Sequence, residues 1–143
     1  EALMFRPELT PDVMNQRGVG YLPRLVGIEV VSIGVEGVAG RLPVRPDLVA
    51  PNGYLHAASV IALADTMAGY GTLANLPEGA KTFTTIELKS NFLGTARDGV
   101  IACMATPVHL GRMTQIWDAV VTDDKNRKIA LFRCTQMILY DRK

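Results

Sequence analysis

The sequence predicts an α+β domain in which a long antiparallel sheet wraps one apolar helix. Three observations carry this. Residues 57–76 have helical apolar spacing over two decades of sequence almost free of charge. Four long segments rich in β-branched and aromatic residues follow it, and two shorter ones precede it. Short turns rich in Gly and Asp separate the later segments, and short turns imply antiparallel neighbours. A one-sided sheet and an apolar helix bury their surfaces best against each other.

Taken in chain order, residues 1–24 are a helical lead-in. Thr10 reads as an N-cap with Pro11 at the first helical position, and this short helix runs to about Arg17, stopped by Gly18 and Gly20. Residues 25–32 and 37–44 read as two strands joined at Gly34 and Gly37. Pro43 and Pro46 place the end of the second at a sheet edge. In residues 57–76, Val60, Leu63, Ala64 and Met67 follow the i, i+3, i+4, i+7 spacing. Ala57, Ala58, Ala62, Ala68, Gly69 and Gly71 make that helix small-faced, and Pro77-Glu78-Gly79 ends it. Residues 81–93, 100–110, 113–122 and 127–140 complete the sheet. Ile86, Leu88 and Phe92 alternate there with Glu87, Lys89 and Asn91. The expectation is one domain over residues 1–143, with a long central helix wrapped by five to six antiparallel strands.

The bulk numbers narrow the function classes. A chain of 143 residues suits a single core, and 48% hydrophobic with 20% charged residues is a globular composition. A net charge of +1 argues against broad nucleic-acid binding. No apolar run is long enough for a membrane span, and the first residues, Glu1 to Pro7, show no signal core. Cys103 and Cys134 sit in apolar, strand-like segments and read as reduced core thiols, which fits the cytoplasm. Two Cys and two His (His56, His109) in unrelated contexts do not compose a metal site.

The chemistry concentrates in residues 48–77. Apart from His56, Asp65 is the one acidic or basic residue between Asp47 and Glu78. Its helical neighbours, Ile61, Ala62, Ala68 and Gly69, cannot pair with a carboxylate. Such a group is costly to bury and calls for polar partners from elsewhere or a catalytic task. The alternative is an Asp65 that faces solvent or bonds backbone. His56 follows a Pro-Asn-Gly turn at the helix start, where free N–H groups and the helix dipole can polarise a carbonyl oxygen. The alternative there is a purely structural cap. His56 and Asp65 are nine residues apart, about two and a half turns, so they point to opposite sides of one helix. A site that uses both needs a second copy of the helix, which predicts a dimer with composite sites.

Asn52-Gly53-Tyr54-Leu55-His56-Ala57-Ala58, followed by Ala64-Asp65-Thr66, resembles the hotdog thioesterases, specifically the phenylacetate-degradation type of the hydroxybenzoyl-CoA thioesterase superfamily. Thr85-Ile86-Glu87-Leu88-Lys89-Ser90-Asn91-Phe92-Leu93 and His109-Leu110-Gly111-Arg112-Met113-Thr114 are similar to later family segments, so the likeness spans residues 25–140. The resemblance implies a hotdog fold, homodimers that often pair into homotetramers, and hydrolysis of an acyl- or aryl-CoA without any further cofactor. Asp65 would be general base or nucleophile, facing His56 and the Ala57 amide of the other subunit, with Asn52 orienting water. Arg112, then Lys89, Arg97 and Arg133, are candidates for the phosphates of coenzyme A. Tyr54, Met67 and Tyr70 are candidates for the acyl tail, with ordinary core positions as the alternative.

Two positions depart from the family pattern. Its His-Gly-Gly is His56-Ala57-Ala58 here, which adds methyls and forbids glycine-only torsions. Its polar residue six before the His is Ala50, leaving Asn52 as the substitute. These departures favour a competing reading, a non-catalytic acyl-CoA-binding hotdog protein. A hydratase of the same fold is a further alternative, for which a different His-to-acid spacing is expected.

Overall fold

A computed structural model describes residues 5–142. The reading of the first four residues therefore lies outside the described residues. The lead-in contains two short helices, α1 (Pro11–Arg17) and α2 (Leu22–Val26). The strands are β1 (Glu29–Gly34), β2 (Gly37–Pro43), β3 (Ala80–Phe92), β4 (Val100–Leu110), β5 (Thr114–Thr122) and β6 (Lys128–Tyr140). The long helix α3 (Ala57–Ala74) lies between β2 and β3 in the chain. All strands join one antiparallel sheet in the order β1-β2-β4-β5-β6-β3. The sheet holds α3 against one face, which is the hotdog arrangement.

α1 has the expected cap, with Thr10 Oγ1 accepting from the Val13 N–H. Residues 25–32 differ from expectation. Pro23 starts a helical turn, and Gly27 at φ 94° closes it in the left-handed region. Arg45 then donates to the carbonyls of Val26 and Leu25, and the strand begins only at Glu29. β2 is not an edge strand, because β1 covers one side and β4 the other. Pro43 is tolerated because the pairing with β1 starts at Arg41, so its missing N–H falls beyond the β1 ladder.

The turn around Arg97-Asp98-Gly99 also behaves differently from a hairpin. β3 and β4 are separated by β5 and β6 in the sheet. The curved sheet brings their ends close enough for residues 93–99 to cross, pinned where the N–H groups of Leu93 and Gly94 donate to the Ile129 carbonyl. β3 is therefore an edge.

The small face of α3 has a packing reason. A Cβ at Gly71 would run into the Trp117 ring, and one at Gly69 would press on Phe83. On the sheet side, a Cβ at Gly40 would collide with Met67. Val60, Leu63, Ala64 and Met67 are buried as the spacing requires. Trp117 Nε1 donates to Gln115 Oε1, Gln115 Nε2 to the Asn75 carbonyl, and Asn75 Nδ2 to the Gly71 carbonyl. That chain of bonds fixes the C-terminal end of α3. Cys103 and Cys134 are free, buried thiols, each pushed up to about 12 by burial.

Candidate active site

Residues 48–56 form a closed loop that delivers the chain into α3. The Ala50 N–H donates to the Tyr54 carbonyl and the Gly53 N–H back to Ala50, with Gly53 at φ 88° making the turn. Asn52 Oδ1 accepts from the Tyr54 N–H, an Asx turn that uses one end of the side-chain amide. The His56 N–H donates to the Leu48 carbonyl, as does Ser59 Oγ, so the loop is hooked onto the first turn of the helix.

His56 is the N-cap of α3. Its Nδ1 accepts from the Ala58 N–H at 2.9 Å, which puts the proton of the neutral ring on Nε2. The His56 carbonyl takes the Ser59 and Val60 N–H groups. Among the described residues, no hydrogen bond engages the N–H of Ala57, and this residue is exposed. A free donor at the positive end of an 18-residue helix is suited to a developing oxyanion. Ala57 and Ala58 are the first helical residues, with no positive φ, so alanine meets no torsional obstacle there. The methyls act only by narrowing the approach.

A cavity of about 590 Å³ opens in front of this donor. His56, Ala57, Asn52 and Ala50 line it together with Tyr54, Phe92 and Thr95. Arg97 lies next to it, its guanidinium 5.6 Å from the centre of the Tyr54 ring. Four of the expected positions, 52, 56, 57 and 97, are thus brought to one place.

Asp65 is elsewhere. It lies nine residues on, roughly 13 Å along the helix axis, on the opposite side. It is partly buried near Cys134, whose thiol is raised further by its charge. Its Oδ1 is buried and has no hydrogen-bond partner. Burial raises its pKa above the ordinary carboxylate value, and among the described residues no cation or donor offsets the lost hydration. The neighbouring edge strand β3 leaves apolar side chains uncovered: Ile86 is 54% exposed, Leu88 40% and Phe92 45%.

The other basic candidates are scattered. Lys89 is on the outer face of the sheet, lining a shallow cavity with the paired Arg133 and Asp118. Arg112 is in the β4–β5 turn, stacked 5.5 Å from the Tyr140 ring, with its carbonyl accepting from the Tyr140 hydroxyl. The length of β4, roughly 30 Å, separates Arg112 from Arg97 within one protomer. Of the acyl-tail candidates, Tyr54 lines the cavity, Met67 is core, and Tyr70 packs beside Arg17 and Tyr21.

The model of the thioesterase superfamily matches residues 52–130, more than half of the chain and all of α3. The chain belongs to the thioesterase superfamily. By that membership it is an enzyme, a thioester hydrolase. A 1,4-dihydroxy-2-naphthoyl-CoA hydrolase of Listeria monocytogenes is 29% identical, over 85% of this chain and 98% of its own. A thioesterase from Haemophilus influenzae superposes with a TM-score of 0.89 at 27% identity, covering 97% of this chain and 96% of the other. The PaaI protein from the phenylacetic acid degradation operon of Escherichia coli superposes at 0.82 with 18% identity, over 96% of both chains, and so shares the fold.

The superfamily match takes in most of the segment, residues 48–77, that sequence reasoning singled out, and extends well beyond it. Thr95 escaped that reasoning. It lines the cavity and its Oγ1 accepts from the Leu55 N–H, a contact across 40 residues that no local motif announces. Among the described residues, no helix is long and apolar enough to cross a membrane.

Proposed function

We propose that this superfamily member hydrolyses acyl- or aryl-CoA thioesters at sites shared between two copies of the chain. Asp65 of one copy acts on a carbonyl held by the Ala57 N–H of the other. One observation carries the reading: among the described residues, a free backbone donor at the start of one helix and a carboxylate oxygen buried without a partner lie roughly 12 Å apart along that helix. Each lacks what the other supplies. The exposed apolar residues of the β3 edge support pairing there. The Listeria relative, named as a CoA-thioester hydrolase, supports the substrate class.

In the general-base route, Asp65 takes a proton from water as the water oxygen attacks the thioester carbon. The Ala57 N–H stabilises the oxyanion, the C–S bond then breaks, and the thiolate of CoA leaves with the proton that Asp65 held. In the nucleophilic route, an Asp65 oxygen attacks the thioester carbon first and the C–S bond breaks to release the CoA thiolate; water then opens the mixed anhydride, giving the free acid and returning the Asp65 carboxylate. Asn52 has its side-chain N–H groups available to hold water, because the Asx turn uses only its oxygen. His56 presents its Nε2–H at the cavity. Arg97 meets the CoA phosphates from its own protomer, while Arg112 and Lys89 serve a site completed by the partner. The proposed assembly is a homodimer, with pairing into a homotetramer as the next step. The phenylacetate-degradation subtype rests on the His56–Asp65 interval, and a cytoplasmic setting on the free thiols.

The test is release of free CoA thiol from a panel of short, long and aryl acyl-CoAs, in the presence of chelator. Turnover of at least one member is expected. Binding of CoA without any hydrolysis would instead identify the acyl-CoA-binding protein that Ala50, Ala57 and Ala58 favour.

A further inference from the structure

The donor at Ala57 is only as well placed as the loop that leads into it. Within residues 48–59, the loop is held by its own bonds: Ala50 to Tyr54, Gly53 to Ala50, and His56 and Ser59 to Leu48. Among the described residues, one hydrogen bond ties residues 50–56 to a distant part of the fold. It is the Leu55 N–H to Thr95 Oγ1, at 2.9 Å. Thr95 is itself fixed, because the preceding Leu93 and Gly94 are bonded to Ile129 at the start of β6 and Ala96 is buried. Thr95 therefore connects the rigid sheet to the residue before His56. Leu55 is buried, so loss of Thr95 Oγ1 would leave its N–H without a protein acceptor.

The structure assigns Thr95 as the positioning residue for the carbonyl-binding turn. It sets the Leu55 backbone, and through the next two peptides it sets the His56 cap and the direction of the Ala57 N–H. Its own hydroxyl proton stays available at the cavity wall. The inference rests on the proposed hydrolase reading. It adds to that reading a residue that touches neither Asp65 nor Ala57 and belongs to none of the recognised motif.

Thr95→Val keeps the shape and removes both the acceptor and the donor, while Thr95→Ser keeps both. On a CoA ester that wild type hydrolyses, T95V is expected to lower kcat about tenfold, as a small misplacement of a catalytic donor does. KM should stay within about twofold, because the phosphate contacts are untouched. T95S should recover wild-type kcat to within about twofold. The Leu55 amide, followed by NMR hydrogen exchange, should exchange faster in T95V and at the wild-type rate in T95S. A T95V enzyme with wild-type kcat overturns the inference, as does a T95S enzyme no better than T95V. Unchanged exchange of the Leu55 amide in T95V does the same. Wild-type protein inert on the whole CoA panel removes the hydrolase reading and the inference with it. An active wild type with an equally active T95V removes the inference alone.

Discussion

Replacing Asp65 by Asn separates catalysis from stability in opposite directions. The substitution keeps shape and removes a charge that, among the described residues, has no ion pair, while leaving a polar amide in its place. A general base contributes at least about a hundredfold, so the barrier should rise by about 2.7 kcal/mol and kcat fall accordingly. Stability should hold or improve. What is relieved is the cost of burying the charge, and both the partial exposure of Asp65 and the polar amide that replaces it keep the gain to about 1 kcal/mol. At about 3–4 °C per kcal/mol for a chain of this size, the melting temperature should rise by a few degrees or stay level. Burial raises the folded-state pKa above the unfolded one. The contribution of Asp65 therefore favours folding below the unfolded pKa and is lost as pH rises through the folded pKa. The advantage of D65N is then widest at neutral pH and closes on acidification. The assay is thiol release and a thermal melt on one preparation, at neutral and acidic pH. Near wild-type turnover by D65N refutes the mechanism. A clear loss of melting temperature at neutral pH assigns Asp65 a structural role instead.

Four further outcomes follow from the same geometry. Wild-type kcat/KM should fall as pH drops through the raised pKa of Asp65, so the acid limb should lie above the ordinary carboxylate range. Light scattering at micromolar concentration should give a dimer or larger, and Leu88→Asp on the open β3 edge should shift it toward monomer and abolish turnover; a fully active monomer would remove the composite site. Arg112→Ala should raise KM with little change in kcat if it meets CoA phosphate, and an unchanged KM in folded protein returns it to its stacking on Tyr140. Gly71→Ala should destabilise by about 1–3 kcal/mol in denaturant melts, because the Trp117 ring occupies the place of the new methyl; an unchanged midpoint would show that the ring moves freely.

The sequence made the fold legible where period and punctuation agreed. The stripe of Val60, Leu63, Ala64 and Met67 lies in the core, and Thr10 caps α1 as its spacing promised. The failures have physical causes. Residues 25–32 carry apolar β-branched residues, but Pro23 and Gly27 impose helical and left-handed torsions that outweigh that composition. The Arg97–Gly99 turn is short, yet sheet curvature lets it join strands that are not neighbours. The packing role of Gly69 and Gly71 depends on Phe83 and Trp117, whose proximity no local pattern encodes. At the site, the interval from His56 to Asp65 was readable because it lies on one helix. Thr95 was not, because its partner is Leu55, 40 residues away.

The arrangement on α3 also constrains how chemistry can arise at all. A reacting carbon must lie within about 3.5 Å of the attacking oxygen while its carbonyl oxygen reaches the donor. Roughly 12 Å of helix axis separates Ala57 from Asp65, so one protomer cannot meet that condition. Bending the helix is not an escape, since Val60, Leu63 and Ala64, which lie between the two positions, are buried in the core. A two-fold pairing solves the problem for both copies at once, because an isologous interface offers each donor the opposite carboxylate. In the proposed dimer each helix would serve two sites, its N-terminus in one and its middle in the other. A mixture of His56→Ala and Asp65→Asn protomers should accordingly be more active than either variant alone. In a heterodimer, one site collects both lesions and the other has wild-type His56 and Asp65. Half of randomly re-paired dimers are heterodimers with one intact site each, so activity should approach about a quarter of wild type. Mixed protein no more active than the better parent, with subunit exchange verified by mass, would mean that His56 and Asp65 do not act across an interface.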